Sequence, residues 1–213
     1  MKDIPLFTTE NGVGSLVLRE IPHKKLAYVR IHSGGRIPEF LQEAVDFCRA
    51  AGAERVYAAG SDMLQDRYTL HNRILRMSKA LDDRETTDEA LWPVQEKTLE
   101  RWLAIYNEKM LPVSNAAWMT WEDGLAMLHR GDGYFVHQDG KLLGIGMASG
   151  EEIRAVVAAE PGKGRDVVKA LLHALYGDRA VLEVSSDNLR AIRLYERLGF
   201  MVTEELSRWY QIF

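Results

Sequence analysis

The sequence predicts an α/β protein with a mixed, mostly antiparallel sheet flanked by helices, and with a smaller α/β segment at its N-terminal end. Strand-like apolar runs alternate with amphipathic helical patterns over residues 91–213. Asp139-Gly140 lies between two strand patterns and is typical of a tight hairpin. A strand–turn–helix–strand order occurs in the N-terminal part and again over 152–184.

Composition limits the class of protein. The chain has 213 residues, 46% hydrophobic and 27% charged, which suits a globular protein of one or two domains. Its net charge of -4 gives no basic footprint, so no nucleic-acid partner is expected.

The single cysteine, Cys48, predicts a buried thiol and fits a reducing cytoplasm. We expect no membrane partner, because no apolar run has the length of a signal peptide or a membrane span. The six histidines have no metal-ligand spacing, so no metal is expected.

The N-terminal part contains a short alternation of elements. Patterns at 15–19 and 26–32 predict two strands. Pro38 can open a helix whose apolar face runs to Cys48, and 55–58 predicts a further strand.

A second helix is predicted from Leu70, Ile74, Met77 and Leu81, which recur at helical spacing. The polar stretch 82–89 then offers nothing to bury and is the best linker candidate. We therefore predict a segment at 1–85 and a domain at 86–213.

From residue 91 the patterns predict a strand, two helices, a three-strand meander, and then helix, strand, helix and strand. Thr120 and Asp123 have the spacing of a capping box at the start of the second helix. The remaining elements follow apolar periodicity; they are predicted at 133–137, 141–148, 153–159, 167–175, 180–184, 188–198 and 200–203, with a further strand at 208–213.

A glycine-rich turn follows the strand at 153–159. Gly162 and Gly164 allow the backbone to approach a ligand closely. The N–H groups of about 162–167 would converge at a helix start, where Lys163 and Arg165 add positive charge. This arrangement favours a bound diphosphate. Taken alone, the turn also fits a plain strand-to-helix connection, and it matches neither the Walker A loop nor the dinucleotide fingerprint.

A second motif lies near the C-terminal end: Asn188, then Ala191, then Tyr195 before Leu198-Gly199-Phe200. Together with the glycine turn, it resembles the GCN5-related N-acetyltransferases (GNAT family). That family has a turn of the form [RQ]-x-x-G-x-[GA] after a strand. The resemblance covers about residues 91–213 and implies a GNAT-like fold.

The resemblance also implies how acetyl-CoA would bind as a co-substrate. CoA would lie in a V-shaped gap between the strands 153–159 and 180–184. Its pantetheine arm would pair with the strand backbone and pass Asn188, its diphosphate would meet the glycine turn, and Tyr195 would protonate the departing thiolate. The implied cofactor-binding residues are Val156, Val157, Ala158, Gly162, Lys163, Gly164, Arg165, Asp166 and Asn188.

The turn departs from the family pattern at Pro161 and Asp166. A carboxylate in the first helical turn suits the helix dipole but repels a diphosphate. The departures lower the expected CoA affinity, and Lys163 and Arg165 would compensate.

Acyl transfer needs a group that removes the proton of the amine and a donor to the carbonyl oxygen. Glu152 is the candidate base, and Glu151 and Glu183 are its rivals. The N–H of Val157 or of Ala158 is the candidate donor.

Three functions remain open. The first is an acyl-CoA-dependent N-acyltransferase, catalysed with Tyr195 and Glu152, that acts on a primary amine of a small molecule or peptide. The second is a catalytically degenerate module that binds CoA or senses another ligand, and the third is a structural domain.

Trp118 or Trp121 would border the acceptor pocket. The N-terminal segment would be a degenerate half of the same fold that extends the sheet or covers the acceptor cleft, and both a monomer and a homodimer are compatible with the sequence.

Overall fold

The computed structural model describes residues 1–81, 88–114 and 116–213. These residues form two compact units, one of Met1–Ile74 with Glu205–Phe213 and the other of Leu75–Glu204. Most of the predicted linker at 82–89, and the predicted border between 85 and 86, lie outside the described residues.

The described strands follow the chain order and are numbered accordingly: β1 Ile4–Thr8, β2 Gly12–Val17, β3 Leu26–Gly34, β4 Arg55–Ala59, β5 Thr69–Ala80, β6 Ala90–Pro93, β7 Gly133–Gln138, β8 Lys141–Ser149, β9 Glu152–Ala158, β10 Arg179–Ser185 and β11 Met201–Gln211. The described helices are α1 Ile21–Lys24, α2 Ile37–Ala50, α3 Glu96–Met110, α4 Trp121–Arg130, α5 Gly164–Leu172 and α6 Leu189–Arg197, with a 3₁₀ turn at Asp62–Leu64.

In the first unit the strands lie in the order β1–β2–β3–β4–β11–β5. β1, β2 and β3 form an antiparallel meander, and β3 pairs with β4 in parallel. The helix α2 connects that parallel pair and buries one face, which includes Cys48. Cys48 is fully buried in the core, as predicted, and this burial raises the pKa of its thiol to about 11.

In the second unit the order is β11–β5–β10–β9–β8–β7–β6. β6 to β9 are antiparallel neighbours, whereas β9 and β10 are parallel. One apolar core packs under α5 and α6, and a second packs under α3 and α4. The sheet is therefore mixed and flanked by helices, as the sequence predicts.

Two glycines of β8 allow α5 to lie close to the sheet. A Cβ atom at Gly144 would stand 2.2 Å from the Val157 carbonyl oxygen and 2.7 Å from Val167 of α5. A Cβ atom at Gly146 would stand 2.3 Å from Leu171, also on α5. The position of α5, and of the turn that precedes it, depends on this close approach.

Several local predictions are confirmed. Thr120 and Asp123 exchange both hydrogen bonds of a capping box at the start of α4. Asp139 and Gly140 both have positive φ, 50° and 74°, as a tight hairpin turn requires.

The helix predicted over 70–81 is wrong, because Thr69–Ala80 is the strand β5. Its apolar residues recur at helical intervals, but β5 lies between β11 and β10 in the sheet, and sheet context overrides a short periodic pattern. The strands predicted at 200–203 and 208–213 form one strand, β11. In the described parts of the chain, no helix is long and apolar enough to cross a membrane.

We expect Gly144→Ala to destabilise the protein by about 1–3 kcal/mol, because the added methyl group overlaps backbone that cannot move independently. Urea unfolding measures this change. Gly35→Ala is the control, because a Cβ atom there meets nothing within 4 Å. Equal stability of the two variants would contradict the packing argument.

Candidate active site

The parallel strands β9 and β10 are paired only at their beginnings. Their registered partners are Val181 with Glu152 and Leu182 with Ile153, and the Val181 N–H donates to the Glu151 carbonyl 2.7 Å away. Both strands lie in the described residues, and no registered pair follows Ile153, although β9 continues to Ala158. The predicted gap between these strands therefore exists, and it opens beyond Ile153.

A β-bulge in β9 coincides with the start of this gap. Opposite β8, Ile153 pairs with Ala148 and Ala155 pairs with Met147, so that Arg154 is the extra residue. A bulge bends the strand and increases its twist. The bulge is thus a physical reason for β9 to turn away from β10 at this point.

The bulge also decides which backbone groups face the gap. The Ala159 N–H donates to the Leu143 carbonyl, so Ala159 faces β8. Because successive residues of a strand face opposite neighbours, Val157 also faces β8, whereas Val156 and Ala158 face β10. Of the two candidate donors to a carbonyl oxygen, only Ala158 directs its N–H towards the gap.

The first unit contains the same local order with a longer stretch of parallel pairing. Its meander leads through α2 to β4, and β3 pairs with β4 over five consecutive residues, from Leu26 with Arg55 to Arg30 with Ala59. Beyond Arg30, β3 continues to Gly34 without a registered partner in β4, so the two strand pairs differ in the length over which they are paired.

The glycine turn leads from β9 to α5. Gly162 has a φ of 91°, which only glycine adopts readily, and a Cβ atom there would meet nothing within 4 Å. Gly164 has a different role, because a Cβ atom there would lie 3.0 Å from Leu194 of α6. The first N–H in α5 with a helical partner is that of Val167, so the N–H groups of 164–166 have none.

The charges at this turn are partly paired. Lys163 lies 3.6 Å from Asp166, whereas Arg165 is exposed. In the family pattern, Arg or Gln stands three residues before the first glycine, which is Ala159 here. Ala159 therefore stands at the Arg or Gln position of that pattern. The departure predicted at Pro161 falls on a variable position instead.

Tyr195 lies on α6 with its ring in the core, 5.9 Å from the ring of Phe200. Burial raises the pKa of Tyr195 to about 12. The phenol therefore remains protonated at physiological pH and is a hydrogen-bond donor rather than a base.

Asn188 has a structural role that explains the spacing of its motif. Its side-chain oxygen accepts the N–H of Ala191 at 3.1 Å and caps α6. Asn188 and Tyr195 are thus the start and the inner face of one helix.

The three candidate bases are each paired with an arginine. Glu152 lies 2.8 Å from Arg154, Glu151 lies 2.8 Å from Arg179, and Glu183 lies 3.5 Å from Arg76. Of the three, only Glu152 is on β9 and adjacent to the last registered pair. Sequence reasoning missed Arg154, because its second partner, Asp132, comes next to it only in the folded sheet.

The connection between α3 and α4 is anchored on both sides. The side-chain amide of Asn107 donates to the Met119 carbonyl and accepts the Met119 N–H, each at 2.9 Å. Ser114 donates to Asp187 at 2.5 Å, beside the start of α6. Trp118 is half-buried and Trp121 is exposed.

In the described ranges, no group of three or more His, Cys, Asp or Glu side chains is arranged to hold a metal ion.

Comparisons with known proteins identify the fold. No protein-family model and no curated protein matches the chain. Among solved structures, it is similar to a GCN5-related N-acetyltransferase from Anabaena variabilis, with a TM-score of 0.61, 12% identity, and coverage of 94% of this chain and 59% of that one. A GCN5-related N-acetyltransferase from Sphaerobacter thermophilus has a TM-score of 0.56 and 15% identity, over 93% of this chain and 75% of that one. A GNAT-family acetyltransferase from Colwellia psychrerythraea has a TM-score of 0.54 and 13% identity, over 96% and 84%.

The chain therefore has the fold of the GNAT acetyltransferases. At these identities the likeness concerns the fold. It extends over more than 90% of the chain and so includes residues of the first unit as well as the second.

We expect the buried phenol of Tyr195 to make the folded protein sensitive to alkaline pH. Its pKa is above the ordinary value of 10, so the folded state keeps a proton that the unfolded state loses. The stability due to this group is complete below pH 10. Relative to Tyr195→Phe, the free energy of unfolding should fall by about 1.4 kcal/mol for each pH unit between 10 and 12.

Urea unfolding from pH 9 to 11.5 tests this slope, with Tyr176→Phe as a control that removes an exposed tyrosine. Parallel curves for the wild type and Tyr195→Phe would show that Tyr195 is not buried as described.

Proposed function

We propose that this protein is an acyl-CoA-dependent N-acyltransferase that uses acetyl-CoA and acylates a primary amine of a small molecule or peptide by direct attack. The observation that carries the proposal is the end of β9–β10 pairing at Ile153, which leaves backbone groups of β9 facing an open gap. An extended pantetheine arm, with its amide groups, can complete such an edge as an added strand would. The single cysteine fits a cytoplasmic setting.

In this proposal, Val156 and Ala158 bind the pantetheine through their backbone, and Val157 between them packs its side chain in the core under α3 and α4. The diphosphate meets the N–H groups at the start of α5, in the turn of Gly162, Lys163 and Gly164, with Arg165 and Asp166 beside it. Asn188 keeps its side-chain N–H₂ group available to the pantetheine while its oxygen caps α6.

The reaction forms a C–N bond and breaks the C–S bond of the thioester. The neutral amine attacks the carbonyl carbon, and negative charge develops on the carbonyl oxygen near the Ala158 N–H. The leaving thiolate receives a hydrogen bond from Tyr195. Glu152 takes the proton that the amine loses.

The pKa of Tyr195 defines its share in this chemistry. A phenol with a pKa of about 12 is a much weaker acid than a thiol, whose ordinary pKa is about 8.5. Complete transfer of its proton to the thiolate is unfavourable, so Tyr195 stabilises the leaving group mainly by hydrogen bonding.

The alternative is a degenerate module that binds CoA or senses another ligand. The pairing of Lys163 with Asp166 favours it, because a carboxylate at the start of α5 opposes a diphosphate and neutralises a nearby cation.

Isothermal titration with acetyl-CoA, followed by thiol release across a panel of amines, separates these functions. Binding with amine-dependent release supports the transferase, and binding without release supports the module. An absence of binding at saturating acetyl-CoA contradicts the transferase and a CoA-binding module.

We expect Asp166→Asn to bind acetyl-CoA about three- to tenfold more tightly. The change removes a negative charge of the α5 start and releases Lys163, a gain on the order of 1 kcal/mol. Asp178→Asn is the matched control. It removes the same charge at the residue immediately before β10, outside the glycine turn. Equal gains in both variants would indicate a general charge effect instead of a site at the turn.

We expect Tyr195→Phe to lower kcat about ten- to a hundredfold while the Kd for acetyl-CoA changes by less than about twofold. The phenol touches the departing sulfur only as charge develops there, so its loss acts on the transition state. The alkaline limb of the rate profile below pH 10 should be unchanged, because Tyr195 does not ionise in that range. An unchanged kcat would remove Tyr195 from the mechanism.

A further inference from the structure

Arg154, the extra residue of the β9 bulge, lies between two carboxylates. Its Nη1 donates to Asp132 Oδ2 at 2.7 Å, and its Nε donates to Glu152 Oε2 at 2.8 Å. A planar guanidinium fixes two such partners in a defined orientation, which a lysine does not do. The bulge therefore links Glu152 to Asp132.

Asp132 is a rigid anchor for this link. It is fully buried immediately before β7, and its Oδ2 also accepts the Nε of Arg130 at 2.7 Å. Its backbone carbonyl accepts the Ala148 N–H of β8 at 2.9 Å. A buried carboxylate with two charged donors has little freedom, so the guanidinium of Arg154 is held in place as well.

Glu152 is the end of this link that lies at the start of the β9–β10 gap. Glu152 pairs in register with Ser149 of β8 and with Val181 of β10, immediately before the last pair of β9 and β10. Because Oε2 is engaged by Arg154, Oε1 is the oxygen that remains to receive a proton.

We propose that Asp132 and Arg154 are positioning residues that hold the Glu152 carboxylate at the start of the β9–β10 gap. This inference rests on the proposed acyl transfer with Glu152 as its base. Neither residue touches the substrate; each acts through Glu152.

A surface ion pair alone would carry no such role. The Arg179–Glu151 pair has the same 2.8 Å distance and lies at the beginning of β10, but no contact with a buried carboxylate supports Arg179. Arg179→Gln is therefore a matched control for Arg154→Gln.

The kinetic test compares Arg154→Gln, Arg154→Lys, Arg179→Gln, Glu152→Gln and the double variant of Arg154→Gln with Glu152→Gln. We expect Arg154→Gln to lower kcat about tenfold or more, since small displacements of a catalytic group are costly, with the KM for acetyl-CoA changed less than twofold. Arg154→Lys should recover part of the loss, and Arg179→Gln should be unaffected. The double variant should be no slower than Glu152→Gln alone, because Arg154 acts only through Glu152.

Additive losses in the double variant, or an equal loss in Arg179→Gln, would overturn the inference. A crystal structure of Arg154→Gln gives a readout that is independent of activity. Displacement or several conformers of the Glu152 carboxylate would support the positioning role, and an unchanged carboxylate would refute it. If the wild-type protein releases no thiol with any amine, the proposed transferase function fails, whereas this structure still decides whether Arg154 positions Glu152.

Discussion

The candidate site depends on one constraint, which is that β9 has more backbone hydrogen-bonding groups than β10 satisfies. Unpaired N–H and C=O groups away from water are costly, so a sheet normally closes over its length. Here the pairing ends at Ile153, and the bulge at Arg154 both bends β9 and selects Val156 and Ala158 as the residues that face the gap. A partner with alternating donors and acceptors, such as water or an extended amide chain, is therefore required at this edge.

The first unit has the same order of elements, and its strand β3 also carries a bulge opposite β2, at His32. β3 and β4 stay in register over five pairs, and a Cβ atom at Gly60 would stand 2.3 Å from the Ile31 carbonyl, so the backbones remain in contact beyond β4. An antiparallel meander, a helix and a parallel strand thus define the shared architecture. The two units differ in where the bulge lies: it follows five β3–β4 pairs in the first unit and only two β9–β10 pairs in the second.

The sequence predicts the parts of this structure that are determined locally. The glycine turn at Gly162, the hairpin turn at Asp139-Gly140 and the capping box at Thr120 each depend on a few consecutive residues, and the motifs predict them. The strand β5 was not predictable in this way, because its neighbours in the sheet impose its conformation. Nor was the point where β9 leaves β10, since it depends on a register shift against β8, nor the contact of Arg154 with Asp132, which joins residues 22 positions apart.

The start of α5 combines two opposing demands. Asp166 in the first turn complements the helix dipole and pairs with Lys163, so it favours the folded helix when no ligand is present. A diphosphate at the same N–H groups would meet that carboxylate and would find Lys163 already engaged. Binding at this turn must then rely on the backbone donors of residues 164–166 and on the exposed Arg165, which is a weaker arrangement than one in which every nearby charge is positive. Stability of the empty turn and affinity for a diphosphate are thus set against each other at a single residue.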